Sequence, residues 1–449
     1  MAQDPLSLLC IEPRFPGRLG AVADWLVRKR GYRCQFYCAR ADDRAFWPKS
    51  AGRGMDVIQF KVGGVAQQTA VPWTRDLERG LCYAYGCFEV LHARRPLGVD
   101  VILGRSAHLG PTLFASVTQP RVPIVNFFDY YHHPYKHDVV ADLGPFMSAE
   151  YFHWRRTSNA MDLLDLENGV RPWTATAWQR DLYPREYHDD FLVLHPGVDS
   201  KRFHRAPHPL SPEAEARGEK GRGPRLVGGR SLPPGTRVVS FVARKLDRLR
   251  GFDRFVTLAN RLLADDPDVL CIAAGGAPVE RGVDVEFYGK DYAAYVLAQT
   301  PPHDPARFWL LGSARPGTVA ELLVASDLHV YPSRAYPPAQ SLLEAMASGC
   351  VVLAWDSAPV REVIAPGQTG LLALPEDEAV FEQARAVLRH PTEYAPLGEA
   401  AAALIRERYS HDATMPALAE YLQQFVAGRC HEPSGTASPA RLAGPTGVR

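Results

Sequence analysis

An alternation of short apolar stretches with amphipathic ones constrains the fold of this chain most strongly, and it occurs twice. Near the N-terminus, the apolar residues 6–11 precede a Pro/Gly loop and then apolar side chains at helical spacing over residues 19–27. A second series starts with the apolar residues 238–242 and passes through an amphipathic stretch to residues 269–273. Strand, helix and strand in this order form a βαβ unit, so each series predicts a doubly wound α/β domain.

The region between the two series has a different composition. Residues 205–235 are rich in Pro, Gly and charged side chains, which is typical of a linker or an exposed insertion. A chain of 449 residues accommodates two domains of about 200 residues each. We therefore divide the chain into an N-terminal Rossmann-like domain (1–195), a linker with an exposed insertion (196–236), a C-terminal Rossmann-like domain (237–410), a helix that can pack back on the first domain (411–429) and a disordered tail (430–449).

Composition excludes several classes of function. The chain carries 51 basic and 50 acidic side chains, so no global field attracts nucleic acid, and any anion site must be local. Its eight cysteines lack paired CxxC spacing, which favours free thiols in a reducing compartment over zinc ligation. The sequence shows neither the basic start of a signal peptide nor a run of about 20 apolar residues. We expect a cytoplasmic protein, with peripheral contact at the inner face of the membrane left open.

The segment Ser341-Leu342-Leu343-Glu344 opens a helix after an apolar strand and a Pro-rich loop. Ligands of open α/β sheets bind at such carboxyl ends of strands. Backbone N–H groups near Leu342 and Leu343 would favour an anion such as a diphosphate, and Glu344 could accept two hydroxyl hydrogen bonds from a ribose. On spacing alone, however, Ser341 and Glu344 are better explained as a capping box that satisfies the helix itself.

A basic loop, Arg244-Lys-Leu-Asp-Arg-Leu-Arg250-Gly251, lies between a strand end and a helix start. Guanidinium groups can grip phosphate oxygens through two hydrogen bonds at once. The alternative is a solvated basic loop. The position at the carboxyl end of a strand favours the phosphate site.

The first domain offers two weaker candidates. The glycines of Gly17-Arg18-Leu19-Gly20 would let the backbone approach a ligand closely, although the same pattern can be only a tight turn. Asp129 and His132 lie in an aromatic loop after another strand and could contact a sugar or shuttle a proton. For any single side chain of that loop, a plain hydrated aromatic loop is the better explanation.

Taken together, several segments resemble the retaining family-4 glycosyltransferases of the GT-B fold. They are the His195-Pro-Gly-Val-Asp199 segment, residues 244–251, residues 332–349, Pro359-Val-Arg-Glu362 and residues 367–372. The resemblance implies two Rossmann-like domains facing across a central cleft, the first for the acceptor and the second for a nucleotide-sugar donor. It also implies that Arg244 and Arg250 bind the donor diphosphate, that Glu344 holds the ribose, and that N–H groups after Ser341 face the phosphates.

Two positions depart from the family pattern, and the first is Arg250, which stands where the family usually has lysine. The family commonly has a further glutamate eight positions before Glu344, where this chain has Tyr336. Because that glutamate touches the donor hexose, the identity of the sugar stays open. The resemblance further implies retention at the anomeric carbon, an acceptor that is a glycan, a lipid or a small molecule, and no cofactor beyond the donor substrate. We expect no metal requirement, because no Asp-x-Asp pair stands where a metal-dependent sugar transferase needs it.

Other functions compatible with a phosphate cradle also stay open. A phosphorylase or a nucleotide-sugar hydrolase of the same fold would use the same groups, and Tyr336 leaves room for a non-catalytic nucleotide-sugar-binding protein. A dehydrogenase is less favoured, because neither series has Gly-x-Gly-x-x-Gly after its first strand.

Overall fold

The computed structural model describes residues 4–62, 72–105, 110–133, 149–204, 225–233, 235–276, 291–374 and 377–428. Two parallel sheets flanked by helices organise these residues, which confirms the predicted fold class of two Rossmann-like α/β domains. The expected tail 430–449, residues 205–224 and Pro234 lie outside the described residues.

The first sheet has seven parallel strands in the spatial order β3-β2-β1-β4-β5-β6-β7. The strands are β1 (Ser7–Ile11), β2 (Arg33–Cys38), β3 (Met55–Gln59), β4 (Val101–Arg105), β5 (Ile124–Phe127), β6 (Arg171–Thr174) and β7 (Leu192–Val193). The helices that accompany them are α1 (Leu19–Arg30), α2 (Arg75–Ala93), α3 (Ala115–Thr118), α4 (Ala149–Thr157), α5 (Ala160–Glu167) and α6 (Ala177–Arg180). As the apolar spacing and Gly31 predict, α1 ends where Gly31 adopts a left-handed conformation with φ of 71°.

The second sheet has six parallel strands in the order β10-β9-β8-β11-β12-β13. They are β8 (Arg237–Lys245), β9 (Val269–Gly276), β10 (Phe308–Leu310), β11 (Leu328–Tyr331), β12 (Val351–Trp355) and β13 (Leu371–Ala373). The helices are α7 (Phe252–Asp265), α8 (Tyr292–Gln299), α9 (Pro316–Ala325), α10 (Gln340–Ala347), α11 (Ala358–Arg361), α12 (Asp377–Arg389), α13 (Pro391–Leu404) and α14 (His411–Val426). The amphipathic stretch after β8 forms α7, whose apolar side, including Phe255, Ala259 and Leu262, is buried.

Short strand pairs and short helical segments lie between these elements. Arg14–Phe15 pairs with Arg40–Ala41, and Leu226–Val227 pairs with Arg230–Ser231. Single turns of 3-10 helix cover Arg44–Phe46, Pro72–Thr74, Arg185–Asp190 and Pro305–Arg307, and a π-helical turn covers Ile405–Tyr409. All seven cysteines within the described ranges are free thiols. None of the helices in these ranges combines the length and apolar character needed to cross a lipid bilayer.

Strand order places a crevice at the same point of each sheet. In both sheets the first strand of the domain lies beside the fourth, as β1 beside β4 and β8 beside β11. The chain leaves these neighbours in opposite directions, so the carboxyl ends of the two strands open a gap between their loops. The loops after β1, β4, β8 and β11 are therefore the places where functional side chains are expected.

The chain crosses between the domains through two paired segments. The Val198 N–H donates to the Tyr409 carbonyl at 2.8 Å, and the His411 N–H donates to the Val198 carbonyl at 2.9 Å. After the second crossing, α14 packs on the first domain, where Met415, Leu418 and Leu422 join the core around β1 and α1.

This packing predicts that Leu418→Ala lowers the free energy of unfolding by about 2–5 kcal/mol, because a fully buried leucine is replaced by a cavity. Urea denaturation of the full chain measures it. Gln424→Ala on the exposed side of α14 is the matched control and should change stability by at most about 0.5 kcal/mol. Equal effects of the two substitutions would show that α14 is not packed as described.

Candidate functional site

The loop after β8 is held against the loop after β11. Gly251 has a φ of 77°, and a Cβ atom there would lie 2.1 Å from the Pro332 carbonyl oxygen, so only glycine fits. The Arg334 N–H donates to the Leu249 carbonyl at 3.0 Å, and the Arg334 guanidinium binds the Arg248 carbonyl and the Asp253 carboxylate. The two loops therefore form one rigid unit at the crevice of the second sheet.

Arg250 lies where these loops meet the start of α10. Its backbone N–H donates to the Asp247 carboxylate at 2.8 Å, which fixes the loop locally. One terminal nitrogen, Nη1, donates to the Tyr331 hydroxyl and to the Pro337 carbonyl, each at 3.3 Å. The same Tyr331 hydroxyl accepts the Ala339 N–H at 2.9 Å. The Tyr331 hydroxyl therefore lies between Arg250 and the start of α10. The Nε and Nη2 atoms of Arg250 donate to none of the described residues.

The start of α10 differs from the expectation. The capping-box explanation is wrong, because Ala339 is the N-cap and Ser341 lies inside the first turn. The Leu342 N–H, expected to face an anion, already donates to the Ala339 carbonyl at 3.0 Å. The N–H groups of Gln340 and Ser341 come before the first helical bond and have no hydrogen-bond partner among the described residues. The buried Ser341 hydroxyl has none there either.

The N-cap lies two residues before the Ser341 of the predicted capping box, and both sides of the helix start are anchored. The Tyr331 hydroxyl takes the Ala339 N–H, and the Gln340 side chain donates to the Gly197 carbonyl at 3.0 Å. Leu342 and Leu343 point into the core and are fully buried. The open anion position of α10 is therefore formed by Gln340 and Ser341 rather than by the two leucines.

Glu344 follows in the same helix and is partly buried. Its carboxylate forms no hydrogen bond or ion pair with the described residues. Burial raises the pKa of Glu344 to about 7; Arg202 acts against this shift and Asp199 adds to it. A partly buried carboxyl group without a partner is suited to accept hydrogen bonds from ligand hydroxyls.

Arg244 stands at the end of β8 and has an exposed side chain. It forms no hydrogen bond or ion pair with the described residues. Its pKa is held below the usual value by partial loss of solvent in the cleft, and Arg105 and Arg14 of the first domain add to this, whereas Glu12 and Asp129 oppose it. The Arg244 guanidinium therefore faces the first domain across the cleft.

Opposite Arg244, the carboxyl ends of β1, β4 and β5 bring together four charged side chains. Arg105 donates to Glu12 at 3.1 Å and to Asp129, and Arg18 pairs with Asp129 at 3.3 Å. Burial acts to lower the pKa of Arg105, but Asp129 and Glu12 outweigh it and raise the pKa well above its usual value. We call Glu12, Arg18, Arg105 and Asp129 the first-domain charge cluster.

Packing within the first loop, in which Glu12 takes part, explains both of its glycines. Its carboxylate accepts the N–H groups of Arg18 at 3.2 Å and Leu19 at 2.8 Å, so it occupies the anion position at the start of α1. A Cβ atom at Gly17 would lie 2.3 Å from Glu12 Oε2, and one at Gly20 would lie 2.6 Å from Pro16 Cβ. Ligand contact by Gly17 and Gly20 stays a prediction, because internal packing already accounts for their small size.

The two candidates of the aromatic loop lie in different surroundings. Asp129 belongs to the charge cluster. His132 is 7% exposed, exchanges two backbone hydrogen bonds with the Asn159 side chain, and packs its ring against Tyr130 and Trp154. The structure brings Asp129 to the cleft and places His132 in the interior of the domain.

Tyr336 stands in place of the family's glutamate and contacts residues of both domains. Its ring centroid lies 4.7 Å from that of Tyr130, and the Arg250 guanidinium carbon lies 5.2 Å from the Tyr336 centroid. The residues that sequence reasoning missed are Glu12, Arg105, Tyr331 and Gln340. Each lies at or next to the carboxyl end of a parallel strand or at a helix start, which is the one signal that could have identified them.

No group of three or more His, Cys, Asp or Glu side chains converges to hold a metal ion within the ranges that the structure describes. A metal-independent reaction stays a prediction.

Two glycosyltransferase family models match this chain, one in each half. Residues 30–203 match the model of the glycosyl transferase family 4 group, and residues 229–404 match that of glycosyl transferases group 1. An alpha-maltose-1-phosphate synthase of Mycobacterium tuberculosis is 27% identical over 245 residues, which cover 53% of this chain and only 58% of the relative.

Solved structures share the fold. Sucrose-phosphate synthase from Thermosynechococcus elongatus has a TM-score of 0.68 at 16% identity, covering 94% of this chain and 100% of that one. Anabaena HepE in complex with UDP and glucose has a TM-score of 0.63 at 16% identity, covering 93% of this chain and 100% of that one. At these identities the likeness is one of fold, and it is to GT-B proteins.

The raised pKa of Glu344 predicts a pH-dependent effect of Glu344→Gln. Between about pH 4.5 and about pH 7 the folded chain keeps a proton that the unfolded chain releases, so stability is lost as the pH rises. Glu344→Gln escapes this loss and should be more stable than the original chain at pH 8, with the difference shrinking toward pH 5. Urea denaturation at both pH values measures it, with the exposed Glu399→Gln as the control. A constant difference across this range would contradict the burial of the Glu344 carboxyl group.

Proposed function

We propose that this chain, whose two halves belong to the glycosyl transferase family 4 group and to glycosyl transferases group 1, transfers a sugar from a nucleotide-diphosphate sugar to an acceptor with retention of anomeric configuration. The observation that carries the proposal is that Arg250 and the open N–H groups of α10 lie on the two sides of the Tyr331 hydroxyl, at the crevice where Arg244 stands near the end of β8. These groups are cationic or hydrogen-bond donors, and Arg244 has no protein partner among the described residues.

A diphosphate fits this arrangement chemically. Guanidinium groups and a helix N-terminus both favour phosphate oxygens. When the bond between the sugar and the diphosphate breaks, negative charge develops on the leaving oxygen. Donors already aimed at that charge stabilise the transition state more than the ground state. Arg244 and Arg250 therefore carry the main catalytic roles in our proposal.

The ribose lies next to the diphosphate in such a donor. Glu344 is in the helix whose start holds the open N–H groups, and its carboxylate is without a described partner. We assign to it two hydrogen bonds from the ribose hydroxyls. In this role the carboxylate form is needed, so burial of Glu344 is offset by ligand hydrogen bonds when the donor binds.

The acceptor would enter from the first domain. In a retaining reaction the leaving diphosphate can itself take the acceptor's proton, so no strong protein base is required. Asp129, held by Arg18 and Arg105, is the carboxylate of the first-domain charge cluster that we assign to the acceptor side. The acceptor classes that we propose are a glycan, a lipid or a small molecule. We propose a cytoplasmic location, with the inner membrane face as the place to meet a lipid.

The similar proteins support a nucleotide-sugar donor. The structures of Anabaena HepE hold UDP and glucose in one case and UDP-glucose in another. The alpha-maltose-1-phosphate synthase match supports a sugar-transferring activity, although it spans only 58% of that protein.

The proposal is tested with a panel of UDP-, GDP-, ADP- and TDP-sugars. At least one of them should raise the melting temperature of the full chain in a concentration-dependent way. With that donor and a range of acceptors, NMR of the product should show the anomeric configuration of the donor. Absence of any shift across the panel would contradict the donor site, and an inverted product would contradict the retaining mechanism.

Removal of either key guanidinium should impair turnover. Arg244→Ala and Arg250→Ala should each lower kcat/KM by about 10²-fold or more, because each removes a donor aimed at developing phosphate charge. Arg385→Ala, which removes a guanidinium from the partly exposed face of α12, is the matched control and should leave turnover unchanged. Arg250→Lys should keep only part of the activity of the original chain, since lysine cannot replace the planar fork of arginine. Full activity of either alanine variant would show that the diphosphate binds elsewhere.

Fixed cations in the protein can take the place of a metal at the diphosphate. We therefore expect the purified enzyme to keep its activity in EDTA, measured as product formed per minute with and without the chelator. Loss of activity in EDTA that Mg²⁺ or Mn²⁺ restores would contradict this prediction.

Tyr336 favours a second candidate function, a nucleotide-sugar-binding protein without transferase activity. It stands where the family's sugar-binding glutamate is expected. Donor binding without transfer or hydrolysis under any acceptor condition would support this candidate over the first.

A further inference from the structure

We infer that Tyr336 is a positioning residue that makes the grip of Arg250 on the donor diphosphate depend on Tyr130 of the first domain. The inference rests on the proposed function, in which Arg250 binds that diphosphate. It assigns a role to two aromatic residues that need not touch the donor themselves.

A continuous row of side chains runs from the second domain into the first. The Arg250 guanidinium carbon lies 5.2 Å from the Tyr336 ring centroid, and Tyr336 lies 4.7 Å from Tyr130 with the ring planes inclined by 44°. Tyr130 in turn stacks on Trp178 of α6, with centroids 6.2 Å apart and planes 28° apart. Tyr130 is only 2% exposed, so its position is fixed by the first domain.

Two hydrogen bonds near this row tie the second domain to the first domain and to the segment that crosses between them. The backbone N–H of Trp178 donates to the Glu362 carboxylate of the second domain at 2.8 Å. Gln340, the first residue of α10, donates to the Gly197 carbonyl at 3.0 Å. The row therefore starts at Arg250, next to the donor site, and ends at Trp178, which is bonded to Glu362 of the second domain.

Arg250 needs such support because its other contacts are weak. Its side chain makes two hydrogen bonds, both through Nη1 and both at 3.3 Å, which leaves the plane of the guanidinium loosely defined. A guanidinium over the face of a tyrosine gains an electrostatic attraction and a preferred orientation. Tyr336 lies in a loop, and its ring also contacts Tyr130. When the first domain moves away, Tyr336 loses that support, and Arg250 loses its orientation.

A direct contact between Tyr336 and the donor sugar is the competing explanation. The two explanations differ for a nucleoside diphosphate that lacks the sugar. Coupling through Arg250 predicts that Tyr130 and Tyr336 affect the binding of such a nucleoside diphosphate, because this ligand still carries the diphosphate. A contact with the sugar alone predicts that neither residue affects it.

The experiment is calorimetric titration of the full chain with UDP, GDP, ADP and TDP, followed by a double-mutant cycle with the tightest binder. Tyr130→Ala and Tyr336→Ala should each weaken binding about fivefold. The double variant should be no weaker than either single variant, since both substitutions break the same row. Tyr130→Phe and Tyr336→Phe keep the rings and should bind within about twofold of the original chain. Unchanged binding by the alanine variants, or independent effects that multiply, would overturn the inference.

Arg250→Ala separates failure of the inference from failure of the proposed function. If it strongly weakens diphosphate binding while Tyr130→Ala does not, only the coupling is wrong. If Arg250→Ala binds as tightly as the original chain, or if no diphosphate binds at all, the proposed donor site is wrong, and the coupling is overturned with it.

A second measurement covers the case in which Tyr130→Ala fails to fold. Small-angle X-ray scattering of Tyr336→Ala and Tyr336→Phe at saturating nucleoside diphosphate compares the separation of the domains. Coupling predicts a larger radius of gyration for Tyr336→Ala together with weaker binding, and original values for Tyr336→Phe. Equal radii and equal affinities for the two variants would overturn the inference.

Discussion

The contact between the loop after β8 and the loop after β11 determines the geometry of the second domain's site. Gly251 approaches the Pro332 carbonyl more closely than any residue with a Cβ atom could, and Arg334 binds the carbonyls of residues 248 and 249. Strand order makes the contact possible, because β8 and β11 are neighbours whose chains leave in opposite directions. Arg250 and the start of α10 are thereby brought to the two sides of one tyrosine hydroxyl.

The two domains differ in how a helix start at the crevice is satisfied. In the first domain, the anion position of α1 is occupied by Glu12, whose charge is balanced by Arg105. In the second domain, the N–H groups at the start of α10 have no described partner, and neither has Arg244. Backbone donors and a guanidinium that have no protein partner in a cleft are available to an anionic ligand that completes the site. This asymmetry supports donor binding in the second domain rather than the first.

Much of the fold followed from local patterns, whereas the site depended on contacts between distant parts of the chain. Apolar runs located β1, β8 and β9, and Gly31 correctly marked the end of α1 because it needs only its own left-handed conformation. The spacing of Ser341 and Glu344 was misleading, since the start of α10 is set by Tyr331 and by Gly197 on the domain crossing. Only its place directly after β1 pointed to Glu12, because its partner Arg105 meets it through strand order. The bridge from Tyr336 to Tyr130 required knowing how the domains face each other.

The central claim is that a nucleoside diphosphate binds at the crevice between β8 and β11. A crystal structure of the full chain with a bound nucleoside diphosphate tests it most directly. The account predicts phosphate oxygens within hydrogen-bond distance of the Arg244 and Arg250 guanidinium groups and of the Gln340 or Ser341 N–H, with the ribose hydroxyls on Glu344. A diphosphate bound at the start of α1, with Glu12 displaced and Arg250 still bonded to the Tyr331 hydroxyl and the Pro337 carbonyl, would contradict it.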